Sequence, residues 1–267
     1  MDTSKADKGL ATPVALSILL FSFTILTLAT YSFALSSVNN KAGRLNYAAA
    51  KQDMLALENR ISSVTWGPGS SAIQTFQGYG GKFETKPGLR RLLIDFTCGA
   101  SHSLIFNATI GYVRYGMPAT DLGDVGASLR GDERTVVNQS YAGMPQMYIR
   151  TNGDNQEIYL GYRPLAVVSL DTSEASTVNV ARIFLVNLNS SQNLLFEGGF
   201  RVRVRCVDVA TETINYNFAG SIPFAVIKVA VEGEEDSVYL PLSSSGGSTL
   251  VRVEILQCNV KLEEVEA

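Results

Sequence analysis

The sequence predicts an α+β chain: a long N-terminal hydrophobic helix followed by a mainly antiparallel β-sandwich head. Three observations carry that expectation. Residues 10–35 read LATPVALSILLFSFTILTLATYSFAL, and no charged side chain occurs between Gly9 and Asn40. A helix needs only ~20 apolar residues to cross the hydrocarbon of a bilayer. Apolar residues then keep helical spacing well past Asn40. Beyond residue 66 the pattern changes to short β-branched and aromatic runs between Gly, Ser and Asn turns, with no helical stretch among them. That is the pattern of an antiparallel sandwich or barrel.

The chain has 267 residues, enough for the helix and one sizeable domain. Its 22 basic and 25 acidic residues leave a net charge of −3 with no basic block, so no nucleic-acid partner is expected. Glycine (23) outnumbers proline (8) in a chain rich in Val, Leu, Ser and Thr, which favours a folded, strand-rich body over a disordered one.

Taken in order, residues 1–9 form a short polar leader, residues 10–65 the hydrophobic N-terminal helix and residues 66–267 the head. The apolar run is too long for the core of an ordinary secretory signal, which spans ~7–15 residues. Pro13 sits near the helix start, where a missing N–H costs least. Ser17, Ser22, Thr24, Thr27, Thr30 and Ser32 either allow close helix–helix approach or bond back to their own helix. Ala50, Met54, Leu57 and Ile61 then form one apolar stripe, with Lys51, Asp53, Glu58 and Arg60 mostly off it and Gly43 as a candidate bend. Trp66-Gly67-Pro68-Gly69-Ser70 stops the helix. Strands are expected at 72–77, 82–85, 91–97, 103–115, 147–151, 156–162, 165–171, 178–187, 200–209, 224–231, 238–242 and 249–262. The stretch 116–144 is polar and turn-rich, and Asn152-Gly153-Asp154 reads as a hairpin turn. In Phe200-Arg201-Val202-Arg203-Val204-Arg205 a strand would place three arginines on one face. They form either a solvated outer face or a basic stripe for an acidic partner.

The leader carries a resemblance. Lys8-Gly9-Leu10-Ala11-Thr12-Pro13, followed by an uninterrupted apolar helix, resembles the class III signal of archaeal type IV pilin-like proteins. The resemblance covers roughly residues 5–65. It implies that a prepilin peptidase cuts between Gly9 and Leu10 and that the helix stays on the mature chain. Where bacterial relatives carry a glutamate at the fifth mature position, this chain has Val14. The implied role is a structural subunit of a cell-surface filament. Such a subunit is stored in the membrane and then assembled by pilus machinery into a helical homo-oligomer through its N-terminal helices. The alternative is a membrane-anchored extracellular binding or adhesion protein with an uncleaved anchor. Flanking charge favours the opposite orientation: Lys5 and Lys8 precede the run, whereas Lys41, Arg44, Lys51 and Arg60 follow it.

Motifs for chemistry are sparse, and the chain is not expected to be an enzyme or to hold a metal or cofactor. The single histidine, His102, follows Cys98 in Cys-Gly-Ala-Ser-His. Two ligands do not make a structural zinc site, and a catalytic pair needs an orienting group that cannot be named, so a turn between strands is the preferred reading. Acidic groups at Asp121/Asp124, Asp132/Glu133, Asp154/Glu157 and Glu232/Glu234/Glu235/Asp236 lack EF-hand spacing. Asn107, Asn138 and Asn189 head N-x-[ST] triplets and are glycosylation candidates if the head is extracellular. Asn138 and Asn189 read as loop positions and Asn107 as a strand position. Cys98, Cys206 and Cys258 read first as three small buried residues in strands; the alternative is one disulfide with one thiol left over, and Cys206 with Cys258 is then the preferred pair.

Overall fold

A computed structural model describes residues 7–119, 125–138, 143–153, 155–172, 177–244 and 247–265, with side chains from Pro13 onward. Leader residues 1–6 lie outside the described residues, as do the acidic residues Asp121, Asp124 and Asp154. The chain divides into two compact units, Met1–Asn46 and Tyr47–Ala267. One helix, α1 (Asp7–Val64), runs through the boundary and stays helical at Gly43. The head unit therefore begins inside the helix rather than after it.

In the head unit, Tyr47, Ala50, Met54, Leu57, Ile61 and Val64 are all buried. Their spacing alternates three and four residues, so they line one side of the helix. The helix ends as expected. Trp66 adopts φ 71° and Gly69 φ 83°, a backbone that cannot continue a right-handed helix. Ser70 closes the end by donating its hydroxyl to the Val64 carbonyl at 2.8 Å.

Among the described residues, fourteen strands follow: β1 (Ser71–Phe76), β2 (Lys82–Cys98), β3 (Ser101–Pro118), β4 (Ser128–Arg130), β5 (Val137–Asn138), β6 (Pro145–Asn152), β7 (Asn155–Tyr162), β8 (Leu165–Thr172), β9 (Thr177–Asn187), β10 (Leu195–Glu197), β11 (Phe200–Ala219), β12 (Phe224–Val231), β13 (Glu234–Pro241) and β14 (Ser248–Glu264). They form a six-stranded sheet in the order β1-β11-β14-β9-β8-β5. The eight-stranded sheet runs β13-β12-β2-β3-β7-β6-β4, with β10 beside β2. Pairing is antiparallel except for β14 with β9 and β5 with β8. Each sheet curls into part of a barrel, so the head is β-rich as expected but is not a flat two-layer sandwich.

Two expected strands fuse into one: 82–85 and 91–97 are parts of β2. Pro87 and Gly88, with φ 64° at Gly88, shift the register between Lys86 and Arg90 without ending the strand. The strand expected at 200–209 runs on to Ala219. After four exposed positions at 210–213, Ile214, Tyr216 and Phe218 resume an alternation and pack on the core.

The long strands β2, β3, β11 and β14 serve two cores. One contains the helical stripe with Phe76, Phe83, Tyr115, Val202 and Val204. The other, built from Leu92, Ile94, Phe96, Ile227 and Val253 among others, contains no helix residue. The helix therefore fills only one part of the space enclosed by the curled sheets.

Candidate functional site

In unit Met1–Asn46 the residues from Pro13 to Ser36 are all exposed. Phe21, Phe23, Leu26, Tyr31 and Phe33 are each at least 65% exposed. These positions fall all round the helix, and a helix apolar on every side requires a membrane or other protein around it. Mean hydropathy reaches 2.0 in the most apolar window, so α1 is long and apolar enough to cross a membrane.

The hydroxyls inside this surface are satisfied locally. Ser17 donates to the Pro13 carbonyl at 2.9 Å; Thr24, Thr27 and Thr30 donate to Leu20, Phe23 and Leu26 at 2.8 Å. Of the two readings of the Ser/Thr series, bonding back to the helix is the one found at these four positions. No hydroxyl there has to leave a bond unmade in apolar surroundings. Gly9 and Leu10 lie in the helix's first turns.

The helix stretch within the head unit carries polar anchors. Glu58, read from the sequence as lying off the stripe, is 1% exposed. Its carboxylate accepts the Ser62 hydroxyl at 2.6 Å and pairs with Arg130 Nε at 3.3 Å. Arg130 Nη2 also donates to Asn59 Oδ1 at 2.9 Å. A buried carboxylate needs such a cation, and Arg130 comes from β4, remote in sequence, which is why helical spacing alone misplaced Glu58. Asp53 accepts the Tyr79 hydroxyl at 3.0 Å. Burial first, then the hydrogen bond to Asp53 and its charge, raises the Tyr79 phenol above its ordinary value.

On the head, a cleft of about 380 Å³ is lined by Arg90, Gln146, Tyr148, Arg150, Arg163 and Glu234, among others. Arg163, 2% exposed, is held by the carbonyls of Asp132, Arg134 and Gly143 and by the Asp132 carboxylate. Arg134, then Arg163, hold the Asp132 carboxyl well below the usual range against the opposing effect of burial. Beside this cluster Tyr148 stacks on Tyr159 at 4.6 Å, and Arg150 lies over Tyr148 at 4.6 Å. Burial, the largest effect, raises the Tyr159 phenol above the ordinary range.

The remaining sequence candidates are dispersed. Cys98 pairs in register with Ser101, and His102 with Thr97, across the β2–β3 turn. The Cys98 side chain is buried, whereas His102 is exposed and lies 3.6 Å from Asp95. The thiol and imidazole therefore do not meet, and the turn reading stands. The acids of the 232–236 turn are drawn apart: Glu232 pairs with Arg90 at 3.0 Å, Glu235 with Lys228 at 2.5 Å, and Asp236 accepts the Thr135 N–H at 2.7 Å. Glu157 pairs with Arg114 at 3.1 Å. Among the described residues no group of three or more acids, histidines or cysteines is placed to hold a metal ion.

Arg201, Arg203 and Arg205 alternate with Phe200, Val202 and Val204 as expected. Glu263 of β14 lies 3.6 Å from Arg203 and 4.0 Å from Arg205. Burial opposes ionisation of Glu263, but Lys261, Arg205 and Arg203 outweigh it and hold the carboxyl low. Arg205 also faces Lys261 across the strand pair, so Glu263 offsets only part of the positive charge on this outer face.

Asn107 is exposed on β3 and accepts from Arg91 Nε at 3.0 Å. Asn138, read as a loop position, pairs with Ala166 at the end of β5, while Gln139 and Ser140 lie outside the described residues. Asn189 occupies an exposed turn, and its Nδ2 donates to Thr109 Oγ1 at 3.1 Å. Cys206 and Cys258 are brought together at 3.5 Å between sulfurs. Glu58 and Arg163 carried no local sequence signal, because their charged partners, Arg130 and Asp132, come from distant segments. No protein-family model, curated protein or solved structure matches this chain.

Proposed function

We propose that this chain is the structural subunit of an archaeal type IV pilus-like surface filament. A prepilin peptidase would cut it between Gly9 and Leu10, and the subunit would assemble through its N-terminal helix with the β-rich head outside the cell. The observation that carries this reading is a single helix with two kinds of surface. Residues 47–64 are committed to the head's core, whereas 13–36 are apolar on every side and exposed in the single chain. Membrane lipid buries the second stretch before assembly, and the helices of neighbouring subunits bury it afterwards.

Pro13 supports the position of the cut. In α1 as it stands Pro13 lies inside the helix, where its missing N–H forfeits a bond to the Gly9 carbonyl. In a chain starting at Leu10, Pro13 is the fourth residue. The first four N–H groups of a helix have no partner within it. Cleavage therefore turns a costly proline into a neutral one.

Mass spectrometry of the N-terminus of the protein from its native cells, with electron microscopy of sheared surface material, tests the proposal. A mature N-terminus at Leu10 and filaments containing this chain are expected, both lost in Gly9→Val. An intact Met1 sinks the pilin reading. It would favour the anchored-binding alternative, for which the cleft beside Tyr148 and Arg150 is the supporting feature.

A further inference from the structure

We propose that Cys206 and Cys258 are joined as a disulfide while the head folds in an oxidising space, and that Cys98 remains a thiol. The inference rests on the surface-exposed head of the preceding section and adds a covalent modification to it. The sulfurs lie 3.5 Å apart. A disulfide is ~2.0 Å long, so bonding moves them together by roughly 1.5 Å. Cys206 sits opposite Val260 and Cys258 opposite Val209, so the two are diagonal neighbours on the same inner face. A register shift between Cys206 and Asp208 turns both Val207 and Asp208 outward there. Such a bulge increases the local twist of the strand pair and re-aims a side chain. Cys98 belongs to the other core, at the β2–β3 turn.

The bond has to form before the core closes. Both cysteines are fully buried at 0% exposure. Only a thiolate exchanges with a disulfide, and burial pushes the Cys258 thiol up to about 12. During folding, one cysteine thiolate attacks an exposed disulfide of a thiol–disulfide oxidant and displaces one of its sulfurs. The second cysteine thiolate then attacks the mixed disulfide. Two protons leave the cysteines, two electrons pass to the oxidant, and the oxidant departs as a dithiol. A head that folds under reducing conditions closes over two unbonded cysteines and keeps them.

The linkage would fall where the chain leaves α1. The Gly69 N–H donates to the Cys206 carbonyl at 2.9 Å, and the Cys206 N–H donates to the Ser70 carbonyl at 3.0 Å. The Trp66 N–H points at the Cys258 sulfur at 3.5 Å. Bonding β11 to β14 at this point ties together the two strands that receive the helix end.

Two arms test the proposal. In the first, the full chain in detergent is unfolded, reduced and refolded in a mixture of oxidised and reduced glutathione, then mapped by peptide mass. A 206–258 linkage, with Cys98 alone alkylated once the refolded chain is opened in denaturant, is expected. Reductant should lower its Tm by roughly 5–10 °C, a shift absent from the Cys206→Ser/Cys258→Ser double variant. Three free thiols, or a linkage through Cys98, overturn the proposal. In the second arm, intact native cells are labelled with a membrane-impermeant amine reagent and lysed directly into denaturant containing the alkylating reagent, so that every free thiol is reached. One alkylated cysteine on a surface-labelled chain is expected, and three on a surface-labelled chain overturn the disulfide. Three on an unlabelled chain overturn the surface reading instead, and the refolding arm then decides the disulfide.

Discussion

Two ionic sites set what single residues contribute to the head. Arg134 and Arg163 hold the Asp132 carboxyl low, so its folded pKa lies below the unfolded value of ~3.9. A depressed carboxyl stabilises the fold above the unfolded pKa, and the contribution is lost as pH falls through the folded one. Glu263 is depressed in the same direction. The head's Tm is therefore expected to be nearly flat from pH 5 to 8 and to fall below ~pH 4. Asp132→Asn should lower Tm at neutral pH and flatten the acid limb, read by fluorescence of the single tryptophan, Trp66. Parallel profiles for variant and parent would refute the assignment. The second site is Glu58 with Arg130. Arg130→Met strands a carboxylate in the core and is expected to cost about 2 kcal/mol, reduced from the fully buried case because Arg130 is partly exposed. Glu58→Gln removes the charge itself and should cost less. Equal losses in urea unfolding would mean that the pair does not hold the carboxylate.

At the scale of the element, the helix stretch 47–64 is a structural part of the head. Leu57→Ala removes a fully buried side chain from the helical stripe and is expected to cost about 3 kcal/mol. Leu45→Ala, on a helix position 72% exposed, should leave head stability within about 0.5 kcal/mol. If both variants match the parent in denaturant unfolding, the stripe does not support the head. This element was the most readable from sequence, because Ala50, Met54, Leu57 and Ile61 keep a 3.6-residue period. Strands were readable wherever period-two alternation was strong, as in 200–205. Their ends were not. Pro87 and Gly88 look like a break but only shift register, and the polar residues of 210–219 hide the inward Ile214, Tyr216 and Phe218. The order of strands in each sheet, and the parallel pairing of β14 with β9, depend on contacts between distant segments that no local pattern encodes. For the same reason Arg163 and Glu58 could not be recognised as buried ions before their partners were placed.

For the whole molecule, the question is what covers residues 13–36. If helices in the proposed filament were joined through their Ser and Thr hydroxyls, removing those hydroxyls would weaken assembly. The hydroxyls of Thr24, Thr27 and Thr30 are already bonded to Leu20, Phe23 and Leu26 of their own helix. Assembly should then depend on apolar contact rather than on hydroxyl bridges. A chain carrying Thr24→Val, Thr27→Val and Thr30→Val together is expected to yield filaments at close to the parent level. Leu20→Lys is expected to abolish them, because a charge in apolar surroundings costs about 3 kcal/mol per subunit and recurs at every copy. The Tm of the head, read in detergent, should be the same for both variants and the parent, since neither alters a residue of unit Tyr47–Ala267. Counting filaments on cells expressing each variant decides the matter. Loss in the triple valine variant would make the hydroxyls inter-subunit contacts, and normal filaments in Leu20→Lys would remove the apolar surface from assembly altogether.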